Sequence, residues 1–123
     1  MSKHYVKQDL GIRIEVTDNS EDILKALQNA IERGLDAIGM NAVDHTVDNI
    51  VAVGAVDTGN LKNSIRYRSE YDEKAVIVGT PVEYAAFVEM GTSKMQARPY
   101  LAPAVLDNMS EYKELMKDSL ENA

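Results

Sequence analysis

The chain has two histidines, His4 and His45, and no cysteine, so few side chains suit acid–base or nucleophilic chemistry near neutral pH. His45 lies in Asp44-His45-Thr46-Val47-Asp48. With Asp57 and Ser64 it supplies the residue types of a triad, in which histidine takes the serine proton and aspartate orients the imidazole. Ser64, however, stands in Leu61-Lys62-Asn63-Ser64-Ile65, without the glycine-flanked turn that presents a nucleophilic serine. Asp44 and Asp48 are four residues apart, near Asp36 and His45, and offer donors for a loosely held divalent cation. The same spacing marks an ordinary solvated helix face, and no calcium-loop pattern accompanies it. Gly54, Gly59, Gly79 and Gly91 are isolated, and none precedes a Lys-Ser or Lys-Thr pair, so no phosphate-binding loop is present. The inventory favours a protein that is not an enzyme and uses no metal or cofactor. A metal-dependent or hydrolytic enzyme, or a soluble binding module, is the alternative.

The elements that would position these residues read as α+β. Leu10–Asp18 alternates, with Ile12, Ile14 and Val16 on one side, as in a half-buried strand. Ser20, followed by Glu21 and Asp22, opens a helix that can run to about Val53. Its apolar residues change face. Ile23, Leu24, Leu27, Ile31, Leu35, Ile38 and Ala42 form one stripe, and Val43, Val47, Ile50 and Val51 form a second one, nearly opposite. Two readings stand at Gly39: a break in the helix, or a continuous helix whose second stripe meets a neighbouring subunit.

Asp57-Thr58-Gly59-Asn60 reads as a turn into a short helix, with Leu61 and Ile65 on one face. Arg66–Tyr71 and Ala75–Thr80 read as a hairpin. Thr80-Pro81-Val82-Glu83 has the pattern of a capping box opening a short apolar helix that Gly91 ends. Pro103 then opens a last helix with Val105, Met109, Tyr112, Met116 and Leu120 on one stripe. The expected architecture is a small antiparallel sheet packed against one long N-terminal helix, with a short apolar helix and a C-terminal helix, in a single domain over residues 1–123. With one Phe and no Trp, its core must be aliphatic with some tyrosine.

The net charge is −7. Residues 1–60 hold five Lys/Arg against ten Asp/Glu, whereas residues 61–103 hold six against five. Acidity therefore lies on the helices, which argues against general nucleic-acid binding. Lys62, Arg66 and Arg68 fit a solvated strand face. The N-terminal stretch, with His4, has no signal-like apolar run, and no segment approaches membrane-spanning length. The expectation is a soluble product of a reducing cytoplasm.

Four segments in order carry a resemblance. They are Val56-Asp57-Thr58-Gly59-Asn60-Leu61-Lys62-Asn63-Ser64-Ile65, Val78-Gly79-Thr80, Tyr84-Ala85-Ala86-Phe87-Val88-Glu89-Met90-Gly91-Thr92, and Arg98-Pro99-Tyr100-Leu101-Ala102-Pro103-Ala104. Over residues 56–104 the chain resembles tailed-bacteriophage proteins that act in head–tail joining, in the neck or in tail completion. Ala55 stands where that family often has Pro, and Tyr100 where Phe is frequent. The resemblance implies a structural subunit, virion- or prophage-encoded, that joins a ring between head connector and tail. Its partners would be further copies of itself, connector proteins, and tail-tube or tail-terminator proteins. DNA would pass through the channel without sequence-specific binding. It places the protein in the virion neck or tail, and in the host cytoplasm during assembly.

Within these segments Asp57, Thr58, Gly59, Leu61, Ser64, Gly79, Thr80, Pro81, Tyr84, Glu89, Gly91, Thr92, Pro99 and Pro103 read as fold-defining turn, cap and core positions. Phe87, Tyr84 and Tyr100 are expected in the core. Partner contacts are expected from Lys94, Met95 and Arg98 in the Thr92–Arg98 loop, and from Val43, Val47, Ile50 and Val51 on the second stripe.

Overall fold

The computed structural model describes residues 2–7, 13–18, 20–54, 58–82, 84–94 and 96–123; within 2–18 and at Thr58 the description is of the backbone. In order, the elements are β1 (Ser2–Lys7), β2 (Arg13–Asp18), α1 (Ser20–Val53), α2 (Thr58–Ser64), β3 (Arg66–Glu70), β4 (Ala75–Gly79), α3 (Ala85–Met90), α4 (Leu101–Leu106) and α5 (Met109–Glu121). The class is α+β, as the sequence indicated. The strands form two separate antiparallel ribbons, β1–β2 and β3–β4, rather than one sheet. β1 was not foreseen: residues 2–7 carry His4, Tyr5 and Val6 between lysines, a weak alternation beside the clear one of β2. Leu10 and Ile12, expected in that strand, lie outside the described residues.

α1 runs unbroken through Gly39 for 34 residues. The glycine serves close packing rather than a break. A Cβ at Gly39 would stand 2.3 Å from the Tyr67 ring, so β3 approaches the helix where no side chain intervenes. Gly54, at φ +63°, ends α1, and its N–H donates to the Val51 carbonyl at 3.2 Å.

The core does not choose between the two apolar stripes. Buried Leu35, Gly39, Ala42, Thr46 and Ile50 fall in a band about 80° wide, at ~100° per residue, which runs between them. Thr46 stays satisfied there, because its hydroxyl donates to the Ala42 carbonyl at 2.7 Å. Ala30 and Gly34 bury a different flank under α5, where Gly34 meets Met116 and Ser119 donates to the Ala30 carbonyl at 2.6 Å.

The β3–β4 ribbon is tied to the same helix. Asp36 accepts hydrogen bonds from the Ser69 hydroxyl at 2.6 Å and the Tyr71 hydroxyl at 2.9 Å. On the other side of the core, Ile50, Leu61, Ile65, Ala85, Val88 and Tyr100 form one buried cluster, flanked by Val43, Val47, Val78, Val82 and Leu101. The core is thus aliphatic with tyrosine. The lone Phe87 is not in it: the side chain is 55% exposed.

Two boundaries differ from the sequence reading. The capping box does not open α3, which begins at Ala85 with no side-chain cap. Thr80 instead accepts a hydrogen bond from the Val82 N–H at 3.1 Å and pairs with Ser64, and Glu83 lies outside the described residues. The last helix is two. Pro103 sits in the first turn of α4, and the chain breaks at Asp107–Asn108, where the Asn108 amide donates to the Ala104 carbonyl at 3.0 Å.

Replacing Gly39 with Ala sets two effects against each other. The helix gains about 1 kcal/mol from propensity, whereas overpacking against a ring in a filled interface costs about 1–3 kcal/mol. At 2.3 Å the clash dominates, so urea unfolding should show Gly39→Ala less stable than the parent. The deficit should shrink when Tyr67→Ala is added. A stabilised single variant would contradict this packing.

Candidate assembly surface

The motif residues converge on one joint, where α1, α2, α3 and α4 meet. Ser64 ends α2, and its hydroxyl bonds both the Leu61 carbonyl and the Thr80 hydroxyl at 2.6 Å, locking α2 to the end of β4. The Asn60 amide donates to the Tyr84 hydroxyl at 3.4 Å. Leu61 is fully buried below them, whereas Gly59 and Pro81 are exposed.

Glu89, near the end of α3, reaches across to the start of α4. Its carboxylate accepts the N–H groups of Tyr100 at 3.2 Å, Leu101 at 2.7 Å and Ala102 at 3.2 Å. These are amides that a helix start cannot satisfy internally, and negative charge is favourable there. Tyr100 is buried beside it. Its hydroxyl donates to the Ala85 carbonyl at 3.0 Å, and its own carbonyl accepts the Asn49 amide at 3.1 Å. Burial, and then the nearby Glu89 and Tyr84, hold the Tyr100 hydroxyl above the usual tyrosine range. Tyr112, whose hydroxyl donates to the Ala104 carbonyl at 2.6 Å, is raised chiefly by burial and secondarily by Glu111.

Arg98 closes the joint from outside. Its N–H donates to the Val88 carbonyl at 2.7 Å, and its guanidinium donates to the Gly54 carbonyl at 2.9 Å. The residue expected to meet an acidic partner therefore fastens α3 to the end of α1 in this chain. Gly91, at φ +76°, terminates α3 and donates to the Phe87 carbonyl at 2.8 Å. Thr92, Lys94 and Pro99 are exposed, and Thr92 accepts the Lys94 N–H at 3.2 Å. Asp57 and Met95 lie outside the described residues.

Of the second stripe, Ile50 is fully buried in the chain's own core, and Val43 and Val47 pack against that core; Val51 remains 55% exposed. Sequence reasoning missed Met90, which is 74% exposed and one turn from Phe87 on α3. Because Arg98 ties α3 to Gly54, the exposed Val51, Phe87 and Met90 belong to one end of the fold. A second exposed apolar group, Ile23, Leu24 and Leu27, lies at the opposite end of α1. The signal for both was available: large apolar residues outnumbered the faces that a single small core can cover.

Two of the triad candidates, His45 and Ser64, are engaged with other residues, and the third, Asp57, lies outside the described residues. His45 pairs through Nε2 with the Glu111 carboxylate at 2.7 Å and lies edge-on to the Tyr112 ring, joining α1 to α5. Ser64 is engaged with Thr80. Among the described residues no three His, Cys, Asp or Glu side chains converge as a metal site would require. No helix among the described residues is long and apolar enough to cross a membrane.

Residues 14–91 match the family model HK97-gp10-like, described as "Bacteriophage HK97-gp10, putative tail-component". The chain belongs to this family. The match runs from β2 through α3 and stops at Gly91, so the Arg98–Ala104 segment lies beyond it. No curated protein and no solved structure matches the chain.

Two predictions follow from the joint. Glu89→Ala leaves three helix-start amides without their charged acceptor and should cost about 2 kcal/mol in denaturant unfolding, with Glu89→Gln costing less. A loss under about 0.5 kcal/mol would mean that the carboxylate is not the latch. For the tyrosines, a raised folded-state value means that the neutral hydroxyl is the form the fold requires. Their stabilising contribution is complete below the ordinary tyrosine value of 10.0 and is lost as pH rises through the higher folded value. Unfolding followed from pH 8 to 11 should show stability falling above about pH 10. The fall should be shallower in Tyr112→Phe; an equal fall in parent and variant would contradict it.

Proposed function

We propose that the chain is a non-enzymatic, ring-forming subunit of the phage neck or of the completed tail end, joining the head connector to the tail during virion assembly. Membership of a phage tail-component family is the observation that carries this reading. The geometry supports it in a second way. α1 is about 50 Å long, and the exposed apolar groups near its two ends are chemically different surfaces. One such surface meeting the other gives a head-to-tail contact, which closes into a ring when the rotation permits.

On this reading the partners are copies of the chain, head-connector proteins, and tail-tube or tail-terminator proteins. The protein works in the virion neck or tail after assembly in the host cytoplasm. The acidic faces of α1 and α5 would line or border the DNA channel, where like charge lets DNA pass without sticking.

Native mass measurement of the chain, alone and co-expressed with connector and tail-tube proteins, should give closed multiples of 13.6 kDa or a complex with those proteins. A chain that stays monomeric and binds neither would overturn the proposal. Measurable DNA affinity at physiological salt would refute the channel assignment. Replacing Asp44, His45 and Asp48 together with Ala should lower stability through the lost His45–Glu111 contact while leaving assembly intact; loss of a chemical activity on that change would favour an enzyme instead.

A further inference from the structure

β4 is the edge of its ribbon, and that edge opens onto an apolar slot. The ribbon has two strands, with β4 paired to β3 from Arg66↔Gly79 to Glu70↔Ala75. Alternate residues of a paired strand turn their N–H and C=O groups away from the partner. On β4 those groups point to the side opposite β3. Ala75-Val76-Ile77-Val78-Gly79 contains no charge and no proline, the two devices with which proteins commonly blunt an unused strand edge.

On that side lies a slot of about 350 Å³. Val76 and Val78 of β4 form one wall, Met109 and Met116 of α5 the opposite one, and Leu35 and Ile38 of α1 the floor. The lining includes β4 but not β3, which places the slot along the outer edge of β4. Met109 is 42% exposed at its rim. The Tyr112 hydroxyl, also in the lining, already serves the Ala104 carbonyl. The two charged residues of the lining are Lys74 and Lys113, both cations in a chain of net charge −7. Lys74 ends the hairpin turn at φ +53°, a conformation that glycine adopts more easily, with its N–H donating to the Tyr71 carbonyl at 3.2 Å.

We infer that this slot receives an extended segment of another protein chain, which adds to β4 as a third strand. Main-chain hydrogen bonds to the outer edge of β4 hold the segment, and apolar side chains at its alternate positions point down onto Leu35 and Ile38. Carboxylates flanking those positions meet Lys74 and Lys113, which sets the charge of the partner segment. A strand suits the slot better than a helix does. Paired strands stand about 4.8 Å apart, whereas packed helices need about 8–10 Å, and only a strand can use the main-chain groups of β4. Slot and edge both belong to the single chain, so this contact does not depend on whether copies close into a ring.

The probe is an end-blocked Glu-Val-Thr-Val-Thr-Val-Glu peptide, whose central stretch matches the 5 residues of β4. It is titrated into the 123-residue chain while amide hydrogen exchange is followed residue by residue. Saturable binding that slows exchange along β4 is expected. Two further peptides, N-methylated on the valines or on the threonines, keep the side chains but each lose the donors of one strand edge. One of them should bind roughly tenfold more weakly and the other about as well as the parent. Lys113 is exposed, so Lys113→Glu should leave the fold intact. It should weaken the glutamate-ended peptide about threefold and strengthen a lysine-ended version by a similar factor. Absence of binding at millimolar peptide would overturn the inference. So would protection confined to other elements, equal binding by the two methylated forms, or a Lys113→Glu effect that is the same for both charge types.

Discussion

Every element of the body is arranged against one uninterrupted helix, and the constraint that shapes the rest is how closely those elements approach it. From Leu35 to Ile50 the buried band of α1 is mostly small: Gly39, Ala42 and Thr46 leave room where larger residues would hold neighbours off. Tyr67 occupies the space above Gly39, and farther along α5 lies over Ala30 and Gly34. Close approach from two sides lets the middle of this band contribute small side chains to the core, between buried Leu35 and Ile50. Apart from Leu35 and Ile50, large apolar residues of α1 such as Ile23, Leu24, Leu27, Met40 and Val51 are left exposed on the flanks. A helix that supplies its own fold with small residues keeps its large ones available for contacts with other chains.

The second organising feature is the latch at the far end of α1. Glu89 gathers the first amides of α4, Tyr100 plugs the core beneath them, and Arg98 holds the end of α3 against Gly54. Charge-assisted hydrogen bonds to helix-start amides are worth more than neutral ones, and here they join two short helices with little length of their own to stabilise them. The result is a rigid platform on which Phe87 and Met90 stand exposed. Several of the residues that carry the resemblance, Ser64, Thr80 and Glu89 among them, thus bond within the chain, with the exposed Phe87 and Met90 beside them.

Much of this was legible in the sequence, for identifiable reasons. The hairpin β3–β4, the short helix carrying Leu61, and the stop at Gly91 follow from local pattern and turn chemistry, which distant parts of the chain do not override. Gly39 was ambiguous because a glycine that breaks a helix and one that admits a neighbour look alike until Tyr67 is placed. The capping-box pattern at Thr80 was misleading because Ser64, sixteen residues earlier, competes for the same hydroxyl. Phe87 was expected inside by residue type alone, whereas six residues of α3 bury only Ala85 and Val88. The partners of Glu89 and His45 lie eleven or more residues away and could not be read from spacing. Family membership, by contrast, was visible in the order of the motifs.

The most direct measurement of the account is a cryo-electron-microscopy reconstruction of the neck and head-proximal tail of the assembled particle. The account predicts a closed ring of this chain there, with α1 of one copy contacting the next and the Glu89–Tyr100 platform facing a neighbouring component. A complete connector-to-tail junction with no density for this chain would contradict it.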